Sequence, residues 1–287
     1  MTVATASDYI RPTSLDEALG ALARPGTRIL SGGTDFYPSL GDNIARGPIV
    51  DISAIRELSG IAIGPEEIRI GARTTWSEII RCDLPPAFNA LKAAAREVGS
   101  IQIQNTGTVA GNLCNASPAA DGVPPLLALN AEVEIRAAGT APRRLPLSQF
   151  IAGYRKTVLR PGEMASAIVV PRTIEGSSVF LKLGARRYLV ISIAMVAAIV
   201  ETDGDGRIAK ARIAVGACSA VARRMLDAEA ALIGAPAHAG AGMRIADKHL
   251  LGLTPIDDVR ATAAYRRDAA LTLIRRAVEA CIAELGR

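Results

Sequence analysis

Residues that build metal centres and catalytic triads are scarce in this sequence. Its 287 residues include two histidines, His238 and His249, and four cysteines. The cysteines, at positions 82, 114, 218 and 281, are too far apart for the CxxC or CxxxC spacing of zinc and iron–sulfur sites. Neither histidine has a carboxylate at ligand spacing. We therefore predict no metal site and no histidine-based triad, and we expect free thiols in a reducing compartment.

Aromatic residues, long apolar runs and runs of basic charge are also rare. Aromatics make up 3% of the chain, and its net charge of +5 comes from scattered or paired basic residues. Both features argue against a nucleic-acid-binding protein. The longest apolar run, Leu189 to Val200, is too short to span a bilayer and predicts a buried strand. Without a visible signal peptide, we expect a soluble, cytoplasmic protein.

What the sequence does contain is a polar, almost uncharged stretch from Gly99 to Asp121, rich in Gly, Asn, Thr and Ser. Its Gly107 and Gly111 allow positive φ and close backbone approach, and its hydroxyl and amide side chains can add hydrogen bonds. Ser117 and Pro118 predict a helix start, with the helix running from 119 to 129. The pattern is typical of a loop that binds an anionic ligand, or of a Gly-rich connection between strands.

A second glycine pair follows a predicted strand at Arg28 to Leu30. The sequence there continues Ser-Gly-Gly-Thr-Asp, an arrangement suited to a backbone cradle for phosphate or to a structural corner. It matches neither a Rossmann GxGxxG nor a Walker A loop. Two such loops about seventy residues apart indicate a ligand with two phosphates. A dinucleotide fits, and without a Rossmann fingerprint a flavin dinucleotide fits better than a nicotinamide one.

The rest of the chain predicts alternating short strands and helices. Ser14 and Glu17 form a capping-box pattern that opens a helix, and a strand is predicted at 48–52. Further predicted elements are a hairpin at 61–70, helices at 74–80 and 87–98, strands at 131–137, 144–146 and 164–170, then three long strands at 178–183, 190–200 and 207–217, and helices at 223–233 and 265–285.

The two glycine loops also carry a family resemblance. The segments Ile29–Asp35 (ILSGGTD) and Asn105–Asn112 (NTGTVAGN) resemble the signature loops of the FAD-binding medium subunit of molybdenum hydroxylases, a family that includes xanthine and carbon monoxide dehydrogenases. The likeness continues through Ser117–Asp121, Lys182–Gly184 and Pro255–Arg260, so it covers essentially the whole chain in order. Ala110 stands where the family usually has glycine, and Ser117 where an acidic residue is common.

The resemblance implies an α+β fold. A PCMH-type FAD-binding domain at 1–175, with sub-lobes at about 1–55 and 56–175, would precede a C-terminal domain at 176–287 with a three-stranded antiparallel sheet and helices. It also implies an oxidoreductase subunit that works in electron transfer. FAD on this chain would take electrons from two [2Fe–2S] clusters on a small partner subunit, supplied by molybdopterin on a large one, and pass them to an acceptor such as NAD+. The resemblance predicts no cluster on this chain.

The resemblance also assigns cofactor-binding residues. Thr108, Gly111 and Asn112 would form the second half of the diphosphate cradle, with Asp121 accepting from ligand hydroxyls and Lys182 near the far end of the flavin. Tyr188 would lie at its isoalloxazine edge, with Phe180 as the alternative stacking residue. Ala110 stands in place of the family's usual glycine. Its backbone would be strained only if its φ were positive, and we expect that φ to be negative. The full set is Ile29, Leu30, Ser31, Gly32, Gly33, Thr34, Asp35, Phe36, Thr108, Gly111, Asn112, Ser117, Asp121, Lys182 and Tyr188.

Two other functions remain open at this point. One is a stand-alone FAD-dependent oxidoreductase; the other is a non-redox nucleotide-binding protein on the same fold. The sequence predicts no catalytic residue of its own, because it shows neither paired carboxylates nor a triad.

Overall fold

A computed structural model of the chain describes residues 8–286, which form three sheets and one separate hairpin. The strands of the first sheet are parallel and lie in the order β1-β3-β2. Helix α1 makes the crossover, and its N-cap Ser14 accepts from the backbone N–H of Glu17, as the sequence predicts. The bounds are β1 Tyr9–Ile10, α1 Leu15–Leu22, β2 Arg28–Leu30 and β3 Ile49–Asp51.

The middle of the chain forms a five-stranded antiparallel sheet flanked by short helices. In chain order its elements are β4 Ile61–Ile63, β5 Glu67–Gly71, α2 Trp76–Arg81, α3 Asn89–Glu97, α4 Ile101–Thr106, α5 Val109–Asn115, α6 Val123–Ala128, β6 Glu132–Arg136, β7 Arg143–Pro146, α7 Leu147–Phe150, β8 Ile151–Gly153, β9 Lys156–Thr157 and β10 Met164–Pro171. The sheet order is β4-β5-β10-β6-β7, while β8 and β9 pair as a hairpin of their own. The hairpin predicted at 61–70 is therefore confirmed as β4 and β5, and the strands predicted at 131–137, 144–146 and 164–170 are confirmed as β6, β7 and β10.

The third sheet contains the three predicted long antiparallel strands and a short fourth one at its edge. The prediction of a helix from 223 is wrong, because Arg223 and Arg224 pair with β13 as that fourth strand. The helix begins three residues later, and the guanidinium of Arg224 binds Glu229 inside it. The bounds are β11 Ser177–Leu183, β12 Ala194–Thr202, β13 Ile208–Gly216, β14 Arg223–Arg224, α8 Leu226–Ala230 and α9 Ala263–Leu285.

Strand β12 is buried on both faces, which explains its unbroken apolar sequence. Successive strand residues point to opposite faces. Met195, Ala197 and Ile199 therefore join the core of the first two sheets, whereas Val196 and Val200 join a second core beneath α9. The third sheet is thus the wall shared by both cores, and it holds the C-terminal part of the chain against the glycine-loop region.

None of the helices within residues 8–286 combines the length and the apolar composition that a bilayer crossing requires.

Candidate functional site

The two glycine segments of the sequence form walls of a single cavity. Its volume is about 570 Å³, within the range of roughly 300–1,000 Å³ typical of small-molecule and cofactor sites. One wall is the segment from Thr27 to Phe36, and the other is formed by α4, α5 and the residues between them; the start of β10 closes the floor. The geometry therefore places both segments around one ligand-sized space.

The first wall depends on glycine at two adjacent positions. A Cβ on Gly32 would lie 1.9 Å from the carbonyl oxygen of Thr106, at the end of α4. Gly33 has a φ of 72°, and a Cβ there would meet the ring of Tyr37 at 2.7 Å. Only glycine allows the backbone to turn in this way and to lie directly against the opposite wall.

The second wall is helical, which corrects the prediction of a loop. Residues 101–106 form α4 and residues 109–115 form α5, with Gly107 and Thr108 between them. The hydroxyl of Thr108 caps α5 by accepting from the N–H of Gly111 at 3.1 Å. Because a satisfied cap and tertiary packing can outweigh poor helix propensity, a Gly- and Asn-rich segment becomes helix here.

The glycines of this wall matter because the absence of a side chain permits close packing, and not because their backbone needs a positive φ. Neither Gly107 nor Gly111 uses the positive φ that glycine allows. Close approach does occur, since a Cβ on Gly107 would lie 2.9 Å from the carbonyl oxygen of Ile103 and 3.4 Å from Oγ1 of Thr34. Ala110 lies inside α5 and has no positive φ, so the replacement of the family's glycine brings no backbone strain.

One polar atom in the cavity wall is left without a partner. The side-chain oxygen of Asn112 is buried and accepts no hydrogen bond from the residues that the structure describes. Leaving a buried polar atom unpaired costs about 1–3 kcal/mol. A ligand with hydroxyl donors, such as the sugar-alcohol chain of a flavin, would remove that cost. The wall therefore fits a flavin dinucleotide in shape and in its unused acceptor.

The charged residues among those lining the cavity are Arg28 and Asp35. The guanidinium carbon of Arg28 lies 4.3 Å from the centre of the Phe36 ring, a cation–π contact that fixes the side chain. Arg28 immediately precedes the segment predicted to bind the ligand, and it supplies the positive charge that a diphosphate favours. One arginine and one half-exposed aspartate do not form a general acid–base pair, so the cavity is suited to binding rather than to proton transfer.

Ten of the fifteen predicted site residues line this cavity and five do not. Leu30 is buried behind the wall. Ser117 accepts from the backbone N–H of Ala119. The cavity-lining set is Ile29, Ser31, Gly32, Gly33, Thr34, Asp35, Phe36, Thr108, Gly111 and Asn112.

The helix predicted at 119–129 starts later than expected, so Ser117 is not its N-cap. Helix α6 begins at Val123 with Gly122 as its N-cap. A helix starting at 119 would place Pro124 and Pro125 in its interior, where proline lacks an N–H and clashes with the preceding turn. At the first turn of α6 the same prolines are tolerated.

Asp121 and Lys182 bind each other in the interior. Nζ of Lys182 lies 2.8 Å from Oδ2 of Asp121, and the hydroxyl of Ser192 donates to Oδ1 at 3.1 Å. Burial raises the pKa of Asp121, while the Lys182 ammonium and the Ser192 hydroxyl oppose that rise. Neither side chain lines the cavity. Their predicted contacts with a ligand stay a prediction.

Tyr188 lies on an exposed loop outside the cavity, with 64% of its surface accessible. The guanidinium carbon of Arg187 lies 5.4 Å from the centre of its ring. Phe180, the alternative stacking residue, is buried in the core. The assignment of either ring to a flavin therefore stays a prediction.

Several cavity residues were not predicted from the sequence. Cys114 and Asn115 lie three and four positions after Gly111, on the face of α5 that lines the cavity. They would have been found had the stretch been predicted as helix. Trp76 is a core residue, 1% exposed, and it also contributes to the cavity wall. Within residues 8–286 there is no group of three or more His, Cys, Asp or Glu placed to hold a metal ion.

Comparison with known proteins agrees with this architecture. Residues 4–173 match the family model described as the FAD binding domain in molybdopterin dehydrogenase, and residues 180–281 match the CO dehydrogenase flavoprotein C-terminal domain. The chain is 31% identical to the 6-hydroxypseudooxynicotine dehydrogenase complex subunit alpha of Paenarthrobacter nicotinovorans, over 94% of this chain and 92% of that one. It is 30% identical to the xanthine dehydrogenase FAD-binding subunit of Escherichia coli O157:H7, over 98% and 97% of the two chains.

Solved structures show the same fold. The chain is similar to one in the structure of reconstituted CO dehydrogenase from Oligotropha carboxidovorans, with a TM-score of 0.88, 26% sequence identity and coverage of 98% of this chain and 99% of that one. The predicted α+β fold with an FAD-binding domain and a C-terminal domain is confirmed. The chain belongs to the family of FAD-binding medium subunits of molybdenum hydroxylases.

Proposed function

We propose that this chain is the electron-transfer subunit of a molybdenum-dependent dehydrogenase. In this function its FAD receives electrons from two [2Fe–2S] clusters of a small partner subunit, which in turn receives them from molybdopterin on a large subunit. The chain then delivers the electrons to a soluble acceptor such as NAD+. The substrate is oxidised on the large subunit.

The observation that carries the proposal is that two glycine segments far apart in sequence enclose one cavity. Gly32 lies so close to Thr106 that no side chain fits between the walls. Such backbone contact leaves main-chain N–H groups of the first segment close to a ligand in the cavity, an arrangement suited to a diphosphate. A single-phosphate nucleotide would need one such segment, whereas a dinucleotide spans two.

The residues of the cavity act by binding and orienting. The backbone of Gly32, Gly33 and Thr34 would hold the diphosphate together with Arg28, and Asn112 would accept from a hydroxyl of the ligand. Flavin supplies the redox chemistry when bound, since it exchanges electrons both singly and in pairs. The protein supplies position, exclusion of water and electrostatics. Because the cavity holds no acid–base pair, bond-making chemistry on a substrate belongs to another subunit.

Relatives support the assignment to a complex. Their names describe a dehydrogenase complex subunit, an FAD-binding subunit and a medium chain of carbon monoxide dehydrogenase. This chain aligns with almost the full length of each of them, and it carries no cluster-binding cysteine spacing of its own. We therefore infer that the iron–sulfur clusters and the molybdenum cofactor lie on separate chains.

The test begins with the visible absorption spectrum of the purified chain, before and after acid release of any cofactor. Flavin absorption and release of intact FAD support the proposal. Co-expression with its small and large partner subunits should then give a complex that survives size-exclusion chromatography. A flavoprotein active without partners would contradict the electron-transfer role, and a colourless chain that also refuses added FAD would contradict the flavin function itself.

The acceptor requires a separate measurement. The holo-chain is reduced chemically without oxygen and then mixed with NAD+, molecular oxygen or an artificial dye in a stopped-flow spectrometer. Reoxidation by NAD+ at a rate above that by oxygen supports NAD+ as the acceptor. Reoxidation by oxygen alone would contradict it.

A further inference from the structure

Three side chains from different parts of the chain meet at the solvent-exposed edge where the two cavity walls face each other, which we call the mouth of the cavity. Asp35 belongs to the first wall, Asn115 lies at the end of α5 in the second wall, and Arg155 lies in the turn between β8 and β9. Nδ2 of Asn115 donates to Oδ1 of Asp35 at 2.7 Å. The Arg155 guanidinium donates to the Asn115 side-chain oxygen and lies 3.9 Å from Oδ1 of Asp35. We call this trio the Asp35–Asn115–Arg155 clasp.

The backbone at this junction is held in a conformation that non-glycine residues rarely adopt. Arg155 has a φ of 53° and Ala116 a φ of 47°. The N–H of Arg155 donates to the carbonyl oxygen of Ala116 at 3.0 Å, so the two residues hold each other in place. Left-handed backbone at a non-glycine residue is unfavourable and persists where surrounding contacts require it. Here it directs the Arg155 side chain at the cavity mouth.

The two walls can separate only if the clasp opens. Asp35 and Asn115 both line the cavity, so their hydrogen bond spans the gap between the walls. Arg155 contacts both partners without lining the cavity itself. Because Arg155 and Asp35 are about half exposed, the ion pair contributes little to global stability. Its effect should instead appear in local opening of the mouth.

We propose that Arg155 is a positioning residue that closes the cavity mouth by joining Asp35 and Asn115, and that it thereby sets the rate at which FAD leaves; this rests on the flavin function proposed above. The residue does not transfer electrons. It keeps the two walls together around the cofactor.

The test measures FAD release from the holo-chain by the rise in flavin fluorescence after a large dilution into flavin-free buffer. Arg155→Gly removes the guanidinium and suits the left-handed backbone, so the turn is preserved. We expect release to be about tenfold faster than in wild type, since a charge-assisted hydrogen bond across the mouth is lost. Arg155→Lys keeps the charge and should restore part of the slow release.

Lys156→Ala is the matched control, because it removes one positive charge from the same hairpin without touching the clasp. It should release FAD at the wild-type rate. The double variant Asp35→Asn with Arg155→Gly should release FAD no faster than the faster of the two single variants, because both act through one clasp. Thermal unfolding of the apo-chains checks that each variant folds.

The outcomes separate the two proposals. If wild type and Arg155→Gly both bind FAD and release it at the same rate, the clasp proposal is overturned and the flavin function stands. Equal acceleration by Lys156→Ala would also overturn it, because general loss of positive charge would then explain the effect. A wild-type chain that retains no FAD overturns the clasp together with the flavin function.

Discussion

The ammonium of Lys182 lies 2.8 Å from the carboxylate of Asp121, although 61 residues separate the two in sequence. Lys182 is on β11 of the third sheet, and Asp121 lies in the turn that precedes α6. Both side chains are almost fully buried, and Nζ of Lys182 also approaches the carbonyl oxygen of Glu97 at 3.4 Å. The pair is therefore a polar link between the glycine-loop region and the C-terminal sheet.

Removing one partner of this pair should cost more stability than removing both. Asp121→Ala leaves a buried ammonium unpaired, and we expect the free energy of unfolding to fall by about 3–5 kcal/mol. Asp121→Ala combined with Lys182→Met removes both charges and should recover part of that loss. Urea unfolding of the apo-chains of both single variants, Asp121→Ala and Lys182→Met, and of the double variant measures these effects. Additive losses in the double variant would contradict a direct ion pair.

Backbone contact at Gly32 should be essential, whereas glycine at a helix surface should be dispensable. Gly32→Ala would place its Cβ 1.9 Å from the Thr106 carbonyl oxygen, so the two walls must move apart. We expect a loss of about 1–3 kcal/mol in unfolding free energy together with loss of FAD retention. The measurements are urea unfolding and the flavin-to-protein absorbance ratio.

Gly20→Ala provides the matched control for Gly32→Ala. Gly20 lies inside α1 and has nothing within 4 Å of its would-be Cβ. Alanine there should raise stability by about 0.5–1 kcal/mol. It should leave FAD retention unchanged. If both variants retained flavin equally, the close approach of the walls would not matter for the cofactor.

These two glycines also show how far the sequence could predict the structure. Strand β2 and the turn after it were predictable, because an apolar strand and a glycine pair are local signals. The helical character of α4 and α5 was not, because Gly111, Asn112 and Asn115 disfavour helix in isolation. Their helix is stabilised by the Thr108 cap and by packing against a segment seventy residues away.

In the candidate site, too, local motifs were predictable and contacts between distant segments were not. Residues next to the glycines, such as Ile29 and Thr108, were predictable from the motif and do line the cavity. The partnership of Asp121 with Lys182 and the crossing of Arg155 to Asp35 join distant segments. No local pattern carries that information, so only the folded chain reveals that Asp121 already has a partner.

Asn112 should matter for the ligand far more than for the fold. Its side-chain oxygen has no partner among the described residues, so Asn112→Ala removes no hydrogen bond to that oxygen from the apo-protein. Because the substitution removes a buried oxygen that has no partner, we expect the free energy of unfolding of the apo-chain to stay the same or to rise, and not to fall. The affinity for FAD should fall by the equivalent of about 1–3 kcal/mol, as measured by titration of the apo-chain. Asn89→Ala, at an exposed position outside the cavity, should change neither quantity, and equal affinities for all three chains would remove Asn112 from the site.

Asp258 should make the stability of the chain depend on acidity. The backbone N–H of Arg260 donates to this carboxylate and holds its pKa below the ordinary value of 3.8; burial opposes that effect, and the Arg266 guanidinium adds to it. Arg266 is itself buried and donates to the carbonyl oxygens of Ile193 and Ala217, so the carboxylate anchors a guanidinium that ties three segments together.

The sign of this dependence follows from where the proton binds. As the pH falls below about 4, the unfolded chain protonates Asp258 while the folded chain keeps it ionised, so protonation favours unfolding. The stabilising contribution is therefore complete above the unfolded pKa and is lost as the pH falls through the lower, folded pKa. Asp258→Asn should be less stable at pH 7 and should lose less stability than wild type between pH 6 and pH 3. Urea midpoints across that range provide the measurement, with Asp268→Asn, which removes an exposed carboxylate from α9, as the matched control. If Asp258→Asn and wild type lost stability in parallel, the Asp258–Arg266 contact would not be a source of acid sensitivity in this fold.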